Sequence, residues 1–234
     1  PVGRQPMTTH LFKELEHIKR RLLELGAMTE DRLNKAIKAI SEFDRDLARQ
    51  IIETDHEIDN LEVEIEEECL KGIALHQPVA GDLRFLAVTL KINNDLERIA
   101  DEAVNIAQRV QTIAIKDESF SYDYLPMGTK VKGMLKKSLN AFVDRDPAAA
   151  KEVLLADDEI DLLRDETYDE LKKASGDTIR SMAYLLNLFL ISRHLERVAD
   201  HATNIAEEVI YMVEGEIVRH ADKKSIALTM SDRR

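Results

Sequence analysis

Apolar residues recur at helical spacing along nearly the whole chain. Leu11, Leu15, Ile18, Leu22 and Leu25 fall on one face of a segment that runs to about Ile40. Asp44 suits the cap of a second helix, whose apolar face carries Ile51, Ile58, Leu61, Ile65 and Cys69. Gln77-Pro78 closes it, because proline disfavours helix at the residue before it and fits the first turn of the next. A third helix is expected from about Ala80 to Ile115, with Leu96, Ile99, Ala103, Ile106 and Val110 toward the core. The polar, aromatic stretch from Lys116 to Met127 contains a proline and marks the midpoint of the chain. A fourth helix is expected over about Thr129 to Val143. Asp146-Pro147, a cap followed by a first-turn proline, opens a fifth; Ser175-Gly176-Asp177 separates it from a sixth that ends near Gly215.

Composition supports an all-α fold. Only 8 Gly and 5 Pro occur in 234 residues, too few for the turns of a many-stranded β fold. Hydrophobic residues make up 44% and charged residues 33%, which suits long amphipathic helices around a sizeable core. A net charge of −12 works against binding nucleic acid, whose phosphates it repels. Cys69 is the only cysteine, so no internal disulfide forms; no secretory h-region opens the sequence, and a cytoplasmic location is expected. No apolar run approaches the roughly 20 residues that span a bilayer.

The second half repeats the first. Residues 94–110 read NDLERIADEAVNIAQRV and residues 193–209 read RHLERVADHATNIAEEV, with ten of seventeen positions identical. Upstream, DHEIDNL at 55–61 matches DDEIDLL at 157–163 at five of seven positions. The blocks keep the same order in both halves. This implies two tandem, pseudo-symmetric three-helix bundles, the first over 8–116 and the second over 123–214, followed by a tail over 215–234.

Both halves carry carboxylates at i,i+4: Asp55/Asp59 with Glu97/Asp101, and Asp157/Asp161 with Glu196/Asp200. This spacing stacks two side chains on one helix face, where like charges repel by a few tenths of a kcal/mol. A cation between two such helices reverses that repulsion, and carboxylate oxygens suit Mg, Mn, Fe or Zn. Asn105 and Asn204 continue each stripe by a turn, and His201 follows Asp200 as a further donor or ion-pair partner. Against this stands ordinary solvation. Glu97, Asp101 and Asn105 fall almost opposite the core face of their helix, and Arg98 and Arg197 partly neutralise them.

The paired LER-[IV]-AD-x-A-x-NIA blocks, the two D-x-E-I-D segments and the QPVAGDLR turn resemble the PhoU family. The resemblance runs from about Leu11 to Val213. It implies two three-helix bundles, an accessory role in high-affinity phosphate transport, and negative control of the phosphate-starvation response. It also implies multinuclear iron or zinc clusters on E(D)-x-x-x-D motifs. By position, these are Asp55, Asp59, Glu97, Asp101, Asp157, Asp161, Glu196 and Asp200. The implied partners are a second copy of the chain, the cytoplasmic parts of a phosphate ABC transporter and a membrane sensor histidine kinase, through which any membrane association would run.

Two other readings stay open. One is a metal-free scaffolding bundle whose acidic stripes bind proteins. The other is a ferritin-like di-iron oxidase, for which Glu14-x-x-His17 and Glu53-x-x-His56 supply Glu-x-x-His pairs, although neither recurs in the second half. No P-loop or G-x-S-x-G nucleophile is present, and a non-enzymatic role is expected.

Overall fold

The computed structural model describes residues 9–113, 121–176 and 182–219. The described residues form α1 (Thr9–Glu42), α2 (Arg45–Glu53), α3 (His56–His76), α4 (Gly81–Thr112), α5 (Leu125–Asp144), α6 (Pro147–Gly176) and α7 (Met182–Glu214). These are six helical rods, because α2 and α3 are one rod broken at Thr54-Asp55. Thr54 has φ −96° and ψ 11°, off the helical region. Arg32 of α1 holds the break open, donating to the Thr54 carbonyl at 2.5 Å and to Asp55 Oδ1 at 2.7 Å. The sequence shows no glycine or proline there to announce it.

Helix ends follow local chemistry. Asp44 Oδ1 accepts from the backbone N–H groups of Asp46 and Leu47, and Asp146 Oδ1 accepts from those of Ala148 and Ala149. Gln77 takes the left-handed conformation at the end of α3, and Gly215, at φ 77°, does so after α7. The fourth rod starts four residues earlier than the sequence suggests, at Leu125. Pro126 sits in its first turn, where a missing N–H costs nothing, and Asp123 Oδ1 accepts from the Leu125 N–H. Pro126 therefore starts a helix and does not mark a loop. The expected connection at Lys116–Met127 falls partly outside the described residues, as do Asp177 and the tail beyond 219.

α4 and α7 form the centre. α4 packs on α1, α2, α3 and α7, and α7 packs on α4, α5 and α6. The apolar faces expected from sequence are all buried, from Leu11 to Leu25 on α1, Ile51 to Cys69 on α2–α3 and Leu96 to Val110 on α4. Burial pushes the Cys69 thiol up to about 12, so it acts as a core residue rather than a nucleophile. α1 also crosses α5 closely. A Cβ on Gly128 would lie 2.9 Å from Ile37, so this position needs glycine. Between α4 and α7, polar clasps bridge the halves: Glu102 to His194 at 2.7 Å, Asp95 to His201 at 2.9 Å and Lys91 to Glu208 at 2.9 Å. No helix among the described residues is long and apolar enough to cross a membrane.

Candidate metal centre

The break between α2 and α3 turns Asp55 and Asp59 toward Glu97 and Asp101 of α4, and the four carboxylates feel one another. Burial and then the Asp59 charge raise the Asp55 carboxyl, with Asp101 adding to the effect and Arg32 opposing it. Burial and then Asp59 raise Asp101. Burial and then Asp101 raise Glu97, with Glu62 and Asp59 contributing. These stripe residues of α4 are half-buried and not outward, because α3 covers that face.

One atom of the group lacks a hydrogen bond. Glu97 Oε2 is buried without a hydrogen bond, and Arg98 Nε stands 3.6 Å away, too far to donate one. A buried carboxylate oxygen in this condition is costly unless another group satisfies it. The all-oxygen donor set with mutual repulsion suits the chemistry of a hard or borderline cation, although no three of these carboxylates bring oxygens within 4.8 Å of one another. Glu62 belongs to the same neighbourhood, with its carboxyl raised by burial, then by Glu66 and Asp59. Asn93 Nδ2 donates to its Oε1 at 3.0 Å. The sequence signal for Glu62 was its place one turn beyond Asp59.

In the second half Asp157, Asp161 and Glu196 act on Asp200, yet the surrounding charges differ. Burial and then Asp157 and Glu196 raise Asp200, with His201 opposing them and Asp161 adding to the effect. Glu196, however, has both oxygens engaged. Arg164 donates to Oε1 at 2.6 Å and Arg193 to Oε2 at 2.6 Å. Arg164 also bonds Asp165 at 2.7 Å and stands 3.6 Å from Asp161. A cation would have to displace two guanidinium groups here, so this half fits a metal less well than the first.

The further donors suggested by sequence face the seam between the halves. His201 Nδ1 and Asn204 Nδ2 meet Asp95 Oδ1 at 2.9 and 3.1 Å, and Asn105 Nδ2 donates to Glu102 Oε2 at 3.4 Å. The two Glu-x-x-His pairs do not assemble a di-iron site. His17 faces Glu68 at 3.4 Å, and His56 Nδ1 lies 3.2 Å from the Glu53 carbonyl.

The PhoU domain family model matches this chain twice, at residues 22–110 and 125–209. The phosphate-specific transport system accessory protein PhoU homologue of Aquifex aeolicus is 40% identical over 211 residues, covering 90% of this chain and 96% of that protein. The homologue of the same description from Clostridium acetobutylicum is 35% identical over 215 residues, covering 91% of this chain and 98% of that one. Among solved structures, PhoU from Pseudomonas aeruginosa superposes with a TM-score of 0.81 at 36% identity, over 87% of this chain and 99% of that one. The phosphate transport system regulatory protein PhoU from Streptococcus pneumoniae gives 0.83 at 30% identity, over 89% and 99%. With both repeats matched and relatives aligned along nine-tenths of its length, this chain belongs to the PhoU family.

Proposed function

We propose that this protein is an accessory of phosphate-specific transport that restrains phosphate uptake and the phosphate-starvation response. The observation that carries this reading is the near end-to-end alignment with proteins described as phosphate-specific transport accessories, in which both repeats take part. The protein acts by contact: a homodimer in the cytoplasm binds the cytoplasmic parts of the phosphate transporter and a membrane sensor kinase, so that transporter state biases kinase output. The absence of a catalytic constellation in the sequence supports a contact role. The first-half carboxylates Asp55, Asp59, Glu97 and Asp101 hold iron, zinc, manganese or magnesium, and the supports are their mutual repulsion and the orphaned Glu97 Oε2. There a cation supplies charge neutralisation, while Arg32 orients Asp55 at one edge. The test is a deletion strain grown in rich phosphate. Raised phosphate accumulation and raised starvation-gene expression are expected; unchanged values of both would reject the reading.

A further inference from the structure

The opposite end of the first half carries a different donor set. His10 and Glu14 lie one turn apart at the start of α1, and His76 is the last residue of α3. α3 rises about 25 Å between Asp59 and His76, so this place is well separated from the acidic stripe. Glu14 Oε1 lies 3.3 Å from His10 Nδ1, and Glu14 Oε2 lies 2.7 Å from His76 Nε2. One donor atom from each residue falls within 4.8 Å of the other two, and among the described residues this is the group that meets that condition. We propose that His10, Glu14 and His76 form a binding site for a divalent transition metal of the zinc class.

A tetrahedral zinc ion with bonds of about 2.0–2.1 Å holds neighbouring donors about 3.3 Å apart. Glu14 Oε1 already stands at that separation from His10 Nδ1, and its other oxygen, Oε2, lies about 0.6 Å nearer than that to His76 Nε2, so the carboxylate meets the ion with both oxygens or turns to offer one. His76 Nε2 is buried and lacks a hydrogen bond, since its close approach to Glu14 has the wrong angle for one. It is a ring nitrogen left without a hydrogen bond beside a carboxylate oxygen, a pair that an ion held by both would satisfy. An i,i+4 His–Glu pair alone is common on helices, but here a third ligand arrives from a separate helix. The two imidazoles fan around Glu14, their centroids 5.7 Å apart and their planes at 38°. An open cavity of about 470 Å³, lined by His10, Lys13, Glu14 and His17, gives an entry path and room for a water as fourth ligand. Lys13 is exposed and its flexible stem lets the ammonium stay in solvent. Two imidazoles and one carboxylate favour zinc or cobalt over magnesium, which prefers oxygen alone. Binding staples the first turn of α1 to the end of α3, beside the Gln77-Pro78 turn.

The test uses the full chain, titrated with Co²⁺ followed by visible absorption and with Zn²⁺ followed by calorimetry. The parent should show a Co²⁺ band of nitrogen-ligand type. His76→Gln and His10→Ala should each weaken binding ten-fold or more at unchanged helicity. Glu97→Gln/Asp101→Asn should leave the band in place. His10 has a side chain 76% exposed, so His10→Ala carries the test if His76→Gln folds poorly. A parent without such a band, or one whose band survives loss of the histidines, overturns the site. Loss of the band in the Glu97/Asp101 variant alone does so too. None of these outcomes bears on phosphate-uptake control, which the deletion strain tests separately.

Discussion

Asp59 and Asp161 occupy matching positions in the two repeats, and three residues later the chain places Glu62 in the first half and Arg164 in the second. That change of sign, with Arg193 standing where the first half has Asn94, separates the two acidic sites. In the first half Glu62 adds to a cluster in which the carboxyls of Asp55, Glu62, Glu97 and Asp101 are pushed upward and Glu97 keeps a buried oxygen without a hydrogen bond. In the second, Arg164 reaches Glu196 and, with Arg193, closes it off. Duplication has kept the helix packing while the charges at two positions decide whether a carboxylate is satisfied from within the chain or left open to an ion. An internally neutralised site has its charge balance fixed at folding, whereas an ion-dependent one varies with metal supply.

The packing side of this comparison gives the largest expected effect. Leu96 of α4 and Leu195 of α7 are matching residues, both fully buried. Truncating either to alanine should cost about 2–5 kcal/mol in urea unfolding, and the two costs should be similar. A cost under a third of its counterpart's would break the equivalence of the two cores. Next comes the metal. At a hundred times its Kd, Mn²⁺ should stabilise the parent by about 2.7 kcal/mol. Glu97→Gln/Asp101→Asn should abolish most of this, while Glu196→Gln/Asp200→Asn should leave most of it. Equal losses in thermal-shift measurements would mean that the arginines do not set the halves apart.

Removing Arg164 sharpens the comparison further. Arg164→Met leaves Glu196 Oε1 without its donor and should destabilise the metal-free protein by about 1–2 kcal/mol. Adding Arg193→Asn, the first-half residue at that position, should bring a second Mn²⁺ equivalent in calorimetry, because both guanidinium groups are then gone from Glu196. The smallest effect concerns pH. Burial and Asp59 raise the Asp101 carboxyl, so its contribution is present while protonated, below the ordinary value of 3.8, and is lost as pH rises through the folded-state value. Metal-free Asp101→Asn should therefore be more stable at pH 7 by a few tenths of a kcal/mol. Glu102 runs the other way. Burial alone would raise it, but His194 and Arg197 hold it below its ordinary 4.5. Its contribution is present above 4.5 and is lost as pH falls through the folded value. Chemical denaturation between pH 3.5 and 7 should thus show opposite changes in slope for Asp101→Asn and Glu102→Gln.

Much of this was legible in the sequence because the apolar periodicity and the duplicated blocks are local records of burial. Leu22, Ile65, Ile99 and Val198 sit where 3.6-residue spacing puts them, and all are buried. The break at Thr54-Asp55 was not legible. It depends on Arg32, which lies 22 residues earlier on another helix and competes for the same carbonyl. The early start of α5 was hidden because Pro126 reads equally as a breaker or as a first-turn residue, and Asp123 decides between them. At the acidic sites the eight carboxylates were visible as a repeated pattern, but their solvation was not. Opposition to a single helix's core face says nothing of a second helix lying over it. His76 and His194 gave no signal along the chain, since Glu14 and Glu102 reach them only through tertiary contact.

The clasps between α4 and α7 also bear on which helices can meet. Aligning the repeats puts Asp95 opposite His194 in the numbering and Glu102 opposite His201. In the molecule each acid instead touches the histidine of the other position, Asp95 with His201 and Glu102 with His194. In these two pairs the acids lie on α4 and the histidines on α7, whereas the Lys91–Glu208 clasp runs the other way. Two copies of α4 laid together in the same antiparallel register would set Asp95 against Glu102 twice over, four carboxylates with no imidazole among them. Two copies of α7 would bring four imidazoles together. Pairing of two α4 helices is thus penalised by carboxylate repulsion, and pairing of two α7 helices forgoes the acid partners, while the correct intramolecular match does neither. A fold made of near-identical repeats, which are prone to exchange with one another, carries in four side chains a lock on which partner each central helix accepts.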